Sequence, residues 1–364
     1  SRMSTVLEQD TAPLRSPPLL GFWYAAATSS EVAPGAMKGV VLLSTPILLC
    51  RTKDGRVSAM LDLCPHRGMP LSFGQMDGDR VECYYHGWQF GMDGRCTAIP
   101  SLVSDSPIDP KKICVTSYPC QDQDGYIWVY MADNRYPDRP IPPLMRHPLP
   151  SSPYLMFQHS QMLSSTLDDG VVGLMDPAHG PYVHQSSLWR KPASQHDKAK
   201  TFEPIPNGFR MIGHAPSKNS PPYQLLKWIS GGELTTTIDF VLPNQRYEFI
   251  QCGSLWVSIR VLMTPITEHE TRMDFCAAWN AFRWLPFGKS IFRYFAKGFL
   301  AQDKVAMDRQ SIGLKHKPPF RLVGDADQQA KWYHKLKAAH VLSLQTGQPF
   351  DHPLKGPVTL RWRS

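Results

Sequence analysis

Two closely spaced pairs of residues with metal-binding side chains lie in the first quarter of the chain. Cys64 and His66 form a C-x-H pair, Cys83 and His86 form a C-x-x-H pair, and a glycine follows each pair closely. Two thiolates and two imidazoles on neighbouring loops suit a two-iron cluster in which sulfur ligands hold one iron and nitrogen ligands hold the other. A structural zinc site is the alternative, because zinc also binds two Cys and two His. One Cys and one His in each pair is unusual for zinc ribbons and fingers, so the spacing favours the iron–sulfur cluster.

A second group of candidate metal ligands begins at Asp176, which is followed by His179 and His184. Histidines five residues apart do not share one face of a regular helix, but Pro177 and Pro181 break the helix and allow the two rings to converge. Taken alone, such a pair is more often two ordinary surface or core histidines. The preceding aspartate, and the cluster already predicted in the same chain, favour a metal site here.

The third ligand of this site is expected from Asp303. The apolar residues of its segment predict a helix over 290–311, and at about 100° per residue Asp303 points into the centre of an apolar stripe, whereas Asp308, the competing acid, faces solvent. A buried ionised carboxylate needs a cation or a firm hydrogen-bond partner, so a structural salt bridge to an arginine is one interpretation. With His179 and His184, however, Asp303 would complete a two-histidine, one-carboxylate site with open positions, which is typical of non-haem Fe(II) that reacts with O₂.

Composition limits the function classes that the chain can serve. Its 364 residues, 42% apolar and 19% charged, are typical of a soluble globular protein with room for two domains. The net charge of +8 is spread along the chain without a block of like charges, so nucleic-acid binding has little support. The positive charge is compatible with binding to an acidic protein partner or to an anionic membrane surface. Eight cysteines are too few for a disulfide scaffold, and the sequence shows no apolar signal region or membrane span. A cytoplasmic location is expected.

The pattern along the chain predicts two domains and an α+β fold. Short β-rich runs broken by turn residues, including a predicted strand over 81–85, fill the first part. A dense run of prolines follows, and then β-rich runs that end in the 290–311 helix and a second helical pattern over 325–344. The predicted divisions are an N-terminal tail 1–20, a cluster domain 21–135, a proline-rich linker 136–154, a mononuclear iron domain 155–345 and a C-terminal tail 346–364.

Together these motifs resemble those of the Rieske non-haem iron oxygenases. The flanking sequences CPHRG and HGW resemble the Rieske [2Fe–2S] signature. The order of cluster loops, proline linker, D-x-x-H-x₄-H and a late Gln-Asp-Lys is similar to that family over nearly the whole chain. The chain is most similar to the mono-oxygenases and demethylases that consist of α subunits only, such as dicamba and vanillate demethylases, and to the pheophorbide a oxygenase group. The resemblance implies an N-terminal antiparallel β Rieske domain and a C-terminal helix-grip (START-like) antiparallel-sheet domain.

One departure from the family pattern concerns the residues before the histidine motif. The family usually has Asn three residues before the aspartate, often preceded by an acid, whereas this chain has Gly173 and Val172. That Asn is not an iron ligand in the family, so the predicted triad is unaffected. The surroundings of the iron and the substrate pocket are expected to differ.

The resemblance also implies cofactors, partners and residue roles. The implied ligand sets are Cys64, His66, Cys83 and His86 for the [2Fe–2S] cluster and His179, His184 and Asp303 for a mononuclear Fe(II). In the family the cluster of a neighbouring chain lies near the iron, which implies a homotrimer. Asp176 would then bridge His179 to a cluster histidine of the next subunit, unless it only caps a local turn. O₂ would be the co-substrate. Because the chain has no dinucleotide-binding motif, NAD(P)H would act only indirectly, through a separate reductase or ferredoxin.

The reaction expected from the resemblance is mono-oxygenation, by hydroxylation or oxidative demethylation, of an apolar or aromatic organic molecule, including large lipid-soluble ones such as a sterol or tetrapyrrole. A ring cis-dihydroxylating dioxygenase and a Rieske-type electron carrier are the alternatives, and a metal hydrolase or a zinc-stabilised binding module are rivals of other classes. The basic and aromatic segment 283–297 is expected to have one packed and one solvated face. Contact with a membrane surface is the less favoured interpretation of this segment.

Overall fold

The computed structural model describes residues 16–184, 195–213, 228 and 230–364. The chain divides into two units. The first unit consists of Leu19–Leu149 with Thr264–Glu268, and the second of Pro150–Met263, His269–Ser364 and the described residues up to Pro18. The predicted linker is therefore divided between the units after Leu149. The domain limits given by the sequence stay predictions.

Short antiparallel strands form the first unit. In chain order they are β1 (Phe22–Thr28), β2 (Met37–Leu42), β3 (Thr45–Arg51), β4 (Val57–Leu61), β5 (Gln75–Asp77), β6 (Arg80–Glu82), β7 (Gln89–Gly91), β8 (Cys96–Ala98), β9 (Ser117–Tyr118), β10 (Cys120–Gln123) and β11 (Tyr126–Met131). Within the described residues they pair in the orders β1-β11-β10, β2-β3-β4-β9 and β5-β6-β7-β8. Strand β11 is buried along its whole length because its residues are aromatic, aliphatic or Met. The strand predicted over 81–85 is wrong beyond Glu82, because a tight turn begins at Cys83.

One antiparallel sheet dominates the second unit. Its strands are β12 (Leu155–Leu163), β13 (Asp197–Ile205), β14 (Gly208–Met211), β15 (Leu234–Val241), β16 (Gln245–Cys252), β17 (Leu255–Thr267), β18 (Glu270–Trp279) and β19 (Val358–Arg363). Among the residues with described positions, the strand order is β12-β18-β17-β16-β15-β14-β13-β19. Strand β19 lies within 346–364, the range predicted as a tail. It pairs with β13 and buries Leu360, which gives this edge an apolar anchor.

Helices cover one face of that sheet. The described helices are α1 (Leu167–Met175), α2 (Gly180–Val183), α3 (Gly288–Leu314) and α4 (Gln328–Thr346). Trp332 and Tyr333 of α4 pack against Phe209 and Phe240 of the sheet, which defines the helix face of the sheet. The predicted helices over 290–311 and 325–344 are confirmed, with α3 longer at both ends. The α+β class with antiparallel sheets is confirmed as well.

A buried polar network joins α1 to α4. The Lys337 ammonium and the Tyr333 hydroxyl both donate to Oδ1 of Asp168, at 2.7 and 2.6 Å. The backbone N–H of Ser16 donates to the other carboxylate oxygen at 2.9 Å. Because the carboxylate has a cation and two further donors, its burial at the start of α1 is compensated. Across the described part of the chain, every helix is too short or too polar to span a bilayer.

Candidate metal centres

The two Cys/His pairs of the first unit form loops with the same backbone hydrogen bonds. Gly68 N–H donates to the carbonyl of Cys64 at 2.8 Å, and Gly87 N–H donates to the carbonyl of Cys83 at 3.0 Å. Both glycines have positive φ values, 76° and 71°, in a region that other residues rarely adopt. The two loops are therefore near-copies, built from local turns that the sequence specifies directly.

The side chains of these loops divide into buried thiols and exposed imidazoles. Cys64 and Cys83 are buried, and their thiols lie in contact. Burial, together with the neighbouring Cys83, raises the pKa of the Cys64 thiol to about 11. The His66 and His86 rings are exposed with centroids 4.6 Å apart, and Trp88 stacks on His66 at 4.5 Å. Two buried sulfurs beside two outer imidazoles fit a [2Fe–2S] cluster whose sulfur-bound iron lies inside. The sequence did not reveal the role of Trp88 as a cover for His66.

His179, His184 and Asp303 come together in the second unit. One ligand atom from each of these residues lies within 4.8 Å of the others. Oδ1 of Asp303 is 3.4 Å from Nε2 of His179 and 3.0 Å from Nε2 of His184. The histidines flank the short helix α2, whose single turn aims both rings at α3. Two imidazole nitrogens and one carboxylate on one side of a site form the donor set that non-haem Fe(II) uses.

The outer nitrogens of both rings are held by oxygen atoms. His179 Nδ1–H donates to the backbone carbonyl of Asp176 at 2.8 Å, and His184 Nδ1–H donates to Oε1 of Gln302 at 2.9 Å. Each Nε2 is then left without a proton and available to a metal. Phe299 stacks on the His184 ring at 3.7 Å. The sequence shows Gln302 only as a neighbour of Asp303, and nothing in its spacing indicates that it orients His184.

Burial and charge make this site attractive to a cation. His184 is buried, and within the described parts of the chain its Nε2 atom has no hydrogen-bond partner of good geometry. Burial opposes ionisation of Asp303, but the neighbouring imidazoles of His179 and His184 hold the pKa of this carboxyl below its usual value. Burial likewise opposes the His179 cation, but Asp303 and Asp176 raise the pKa of that imidazole. An orphaned nitrogen beside an ionised carboxylate fits a bound divalent metal.

Asp308, the competing acid on α3, lies outside the site. Its carboxylate accepts hydrogen bonds from Lys304 at 2.7 Å and from the backbone N–H of Ser164 at 3.0 Å. The helical wheel placed Asp308 in solvent and Asp303 among the apolar side chains. The structure instead gives Asp308 a half-exposed ion pair. The structure thus agrees with the helical wheel that Asp303, and not Asp308, belongs to the metal site.

Asp176 holds the turn between α1 and α2. Its Oδ1 accepts from the backbone N–H of Ala178 at 2.8 Å, so it caps a local turn. Its Oδ2 lies 3.8 Å from Nδ1 of His179, which bonds to the backbone carbonyl of Asp176 instead. The hydrogen bond expected between this carboxylate and His179 is therefore replaced by one from the backbone. The side chain remains 40% exposed.

Gly173 makes room for a side chain from α3. A Cβ atom at this position would lie 2.8 Å from Cε of Met307, closer than van der Waals contact. Gly173, Asp176 and Met307 line a cleft of about 380 Å³ bordered by α1, α3 and α4. The space that the side chain of the family's usual Asn would need is thus occupied by Met307, from the helix that carries Asp303.

Polar groups lie among apolar ones on the helix face of the sheet. Strand pairing places Ile238, Glu248 and Ile259 side by side, with Arg246 beside Phe240 on the same face. Arg246 and Glu248 form a half-buried ion pair at 3.0 Å. The sequence alone does not group these residues, because only the strand register shows which side chains share a face.

Two family models match the chain. The model described as Rieske [2Fe-2S] domain covers residues 22–119, and the model described as Vanillate O-demethylase oxygenase C-terminal domain covers residues 173–339. The first range contains all four predicted cluster ligands, and the second contains His179, His184 and Asp303. The comparisons therefore find both predicted metal-binding regions in one chain and in the expected order.

Relatives in plants and bacteria share the same regions. Chlorophyllide a oxygenase, chloroplastic, from Arabidopsis thaliana is 30% identical over 308 residues, which are 80% of this chain and 52% of that protein. Methylxanthine N1-demethylase NdmA from Pseudomonas putida is 26% identical over 356 residues, 93% of each chain. The chain spans about half the length of several of the curated relatives that it matches.

Solved structures share the fold. Pseudomonas putida NdmA with caffeine superposes with a TM-score of 0.74 at 22% identity, covering 93% of this chain and 96% of that one. Dicamba monooxygenase bound to dicamba superposes with a TM-score of 0.67 at 21% identity, covering 88% and 98%. The fold of the solved structures, the order of the motifs and the two matching family models all indicate the same family. The chain belongs to the Rieske non-haem iron oxygenases.

Proposed function

We propose that the chain is a terminal oxygenase that mono-oxygenates an apolar or aromatic organic substrate, by hydroxylation or oxidative demethylation. The observation that carries this proposal is the convergence of His179, His184 and Asp303, whose ligand atoms lie within 4.8 Å of one another. A Rieske unit alone would serve an electron carrier. The additional two-histidine, one-carboxylate site on a separate sheet is what oxygen chemistry requires.

The residues of this site would hold the iron and leave part of its coordination sphere open. The Nδ1 hydrogen bonds of His179 and His184 fix the ring orientation, so both Nε2 atoms face the carboxylate of Asp303. Phe299 excludes water from one side of the His184 ring. When bound, the cluster supplies single electrons and the mononuclear Fe(II) supplies a binding site for O₂.

Electron delivery would pass through partners. In a homotrimer the second carboxylate oxygen of Asp176, which has no hydrogen bond from the described residues, would accept one from a cluster histidine of a neighbouring subunit. A separate reductase or ferredoxin would supply the electrons, and the net charge of +8 favours an acidic partner. The cytoplasmic location expected from the sequence stays a prediction.

The helix face of the sheet supports an apolar substrate with a polar group. Ile238, Ile250 and Ile259 supply apolar contact area, and the Arg246–Glu248 pair supplies one donor and one acceptor group. The Oγ1 atom of buried Thr236 lacks a hydrogen-bond partner among the described residues. A substrate hydroxyl, carbonyl or ring N–H would satisfy such groups, so we expect purely aliphatic molecules to bind poorly.

Metal content and oxygen uptake test the proposal together. Purified protein is expected to contain iron and acid-labile sulfide without zinc, and to consume O₂ with a surrogate reductase when a substrate is present. Asp303→Asn should retain the visible absorption of the cluster, lose about one iron per chain and lose substrate-dependent O₂ uptake. Asp308→Asn, on the same helix but outside the site, should retain both. Retention of that iron in Asp303→Asn, or zinc in place of the cluster, would overturn the proposal.

A further inference from the structure

The start of α3 presents a stripe of apolar side chains to solvent. Trp284, Phe287 and Tyr294 are exposed by 79%, 81% and 76%, and Ile291 by 51%. Phe287, Ile291 and Tyr294 are spaced four and three residues apart, so they lie on one side of the helix. We call these four residues the exposed stripe. Single exposed apolar residues are common, but an aligned aromatic group of this size marks an interaction surface.

The exposed stripe lies opposite the face of α3 that packs on the protein. Phe292 contacts Trp279 at 4.4 Å and Phe157 at 5.9 Å between ring centroids, and Leu300 is buried. A surface helix normally has one apolar face, which it buries in its own fold. Here the inner face is already occupied, so the part of the second unit that the structure describes leaves the outer stripe exposed. The prediction of one packed and one solvated face for 283–297 is therefore confirmed, but the solvated face carries large apolar side chains.

The charges around the exposed stripe have one sign. No Asp or Glu occurs between Asp274 and Asp303, whereas the stretch contains Arg283, Lys289, Arg293 and Lys297. All four cationic residues are exposed, and the Arg293 guanidinium also lies over the Phe157 ring, at 5.8 Å from its centroid. Long basic side chains beside exposed aromatic rings can reach phosphate groups while the rings enter the apolar region below them.

We propose that the exposed stripe and its four cations dock the protein on an anionic lipid surface. Aromatic rings are favoured at the interface between headgroups and acyl chains, and each cation near such a surface adds attraction to anionic headgroups. A two-fold contact with a second copy of this chain would bring the same four cations together, so like charges would repel there. An acidic protein partner would match the charges but would also have to supply an apolar surface that covers Trp284 and Phe287. A bilayer matches both features.

This inference is independent of the proposed oxygenase function, because binding needs no substrate, O₂ or reductase. It assigns a separate role to residues that lie outside both metal-binding groups. Docking would bring a lipid-dissolved molecule to the helix that carries Asp303. A lipid-soluble substrate class would follow only if both proposals hold.

Vesicle sedimentation with the full-length, iron-loaded protein tests the proposal. Vesicles of phosphatidylcholine with phosphatidylglycerol are compared with phosphatidylcholine alone, at low and physiological salt. The protein should bind the anionic vesicles, and more weakly at higher salt. Trp284→Ala/Tyr294→Ala and Arg283→Glu/Lys289→Glu should each reduce the partition coefficient about tenfold or more. Unchanged cluster absorbance and melting temperature would show that these variants fold.

Matched controls on the first unit make the outcome specific. Phe73→Ala removes a ring that is 68% exposed, and Lys111→Glu/Lys112→Glu reverses two exposed charges, yet neither variant should alter vesicle binding. The proposal is overturned if the unaltered protein does not bind anionic vesicles, or if the controls lose as much binding as the stripe variants. It is also overturned if Trp284→Ala/Tyr294→Ala lowers the oligomeric state in sedimentation equilibrium without changing vesicle binding.

Discussion

The ion pair between Lys337 and Asp168 is expected to contribute strongly to the stability of the second unit. Replacing Lys337 with Met keeps much of the side-chain volume but leaves the Asp168 carboxylate buried, with the Tyr333 hydroxyl and the Ser16 N–H as its hydrogen-bond partners among the described residues. Both charged side chains are 3% exposed, and the N–O distance is 2.7 Å. Water therefore cannot replace the lost cation.

The expected cost follows from this burial. Removing one partner of a buried ion pair costs about 3–5 kcal/mol, and the two remaining hydrogen bonds place Lys337→Met near about 3 kcal/mol. For a domain of this size that loss lowers the melting temperature by roughly 6–12 °C. Lys304 and Asp308 form a matched control, with the same distance of 2.7 Å but exposures of 40% and 35%. Lys304→Met should cost only about 0.5 kcal/mol, because solvent screens an exposed pair.

Thermal unfolding followed by circular dichroism measures both variants under one set of conditions. Asp168→Asn combined with Lys337→Met should recover at least half of the loss, because no uncompensated charge remains buried. The reasoning about burial fails if Lys337→Met and Lys304→Met shift the melting temperature equally. It also fails if the double variant is less stable than Lys337→Met alone.

Three further predictions concern the iron site, the contact of Gly173 with Met307 and the buried thiol of Cys50. Gln302→Ala should weaken retention of the mononuclear iron about 10–100-fold, because His184 loses the acceptor of its Nδ1 proton. Chelator competition measures this retention, and unchanged retention would contradict the role of Gln302. Gly173→Asn should destabilise the protein by about 1–3 kcal/mol in urea unfolding, because its side chain needs the space of Met307. Met307→Ala in the same chain should restore most of that loss, and an absence of recovery would show that the clash lies elsewhere. Burial raises the pKa of Cys50 to about 12, so this thiol should stay unalkylated by iodoacetamide at pH 8 in the folded protein, as peptide mass mapping would show.

Local chemistry made the cluster loops predictable. Cys64, His66, Cys83 and His86 lie in short turns whose shape depends on neighbouring residues, above all the glycines with positive φ. Periodicity likewise distinguished Asp303 from Asp308, because a single helix fixes which side chains share a face. The sequence also correctly predicted the two long helices and the α+β class with antiparallel sheets, but not strand β19.

Long-range placement was beyond the reach of these patterns. Pairing of β19 with β13, the contact of Gly173 with Met307 and the bond of Gln302 to His184 join residues far apart in sequence. No local period encodes such contacts, since they depend on which elements pack together and in which register.

The exposed stripe on α3 illustrates the same limit. Hydrophobic periodicity identifies apolar positions but not which of two apolar faces the fold buries. By itself, the sequence therefore determined the ligand types, their local turns and the class of chemistry. Only the tertiary structure decided that Asp303 reaches two histidines on another segment, and which aromatic side chains remain in solvent, because both depend on packing between elements distant in the chain.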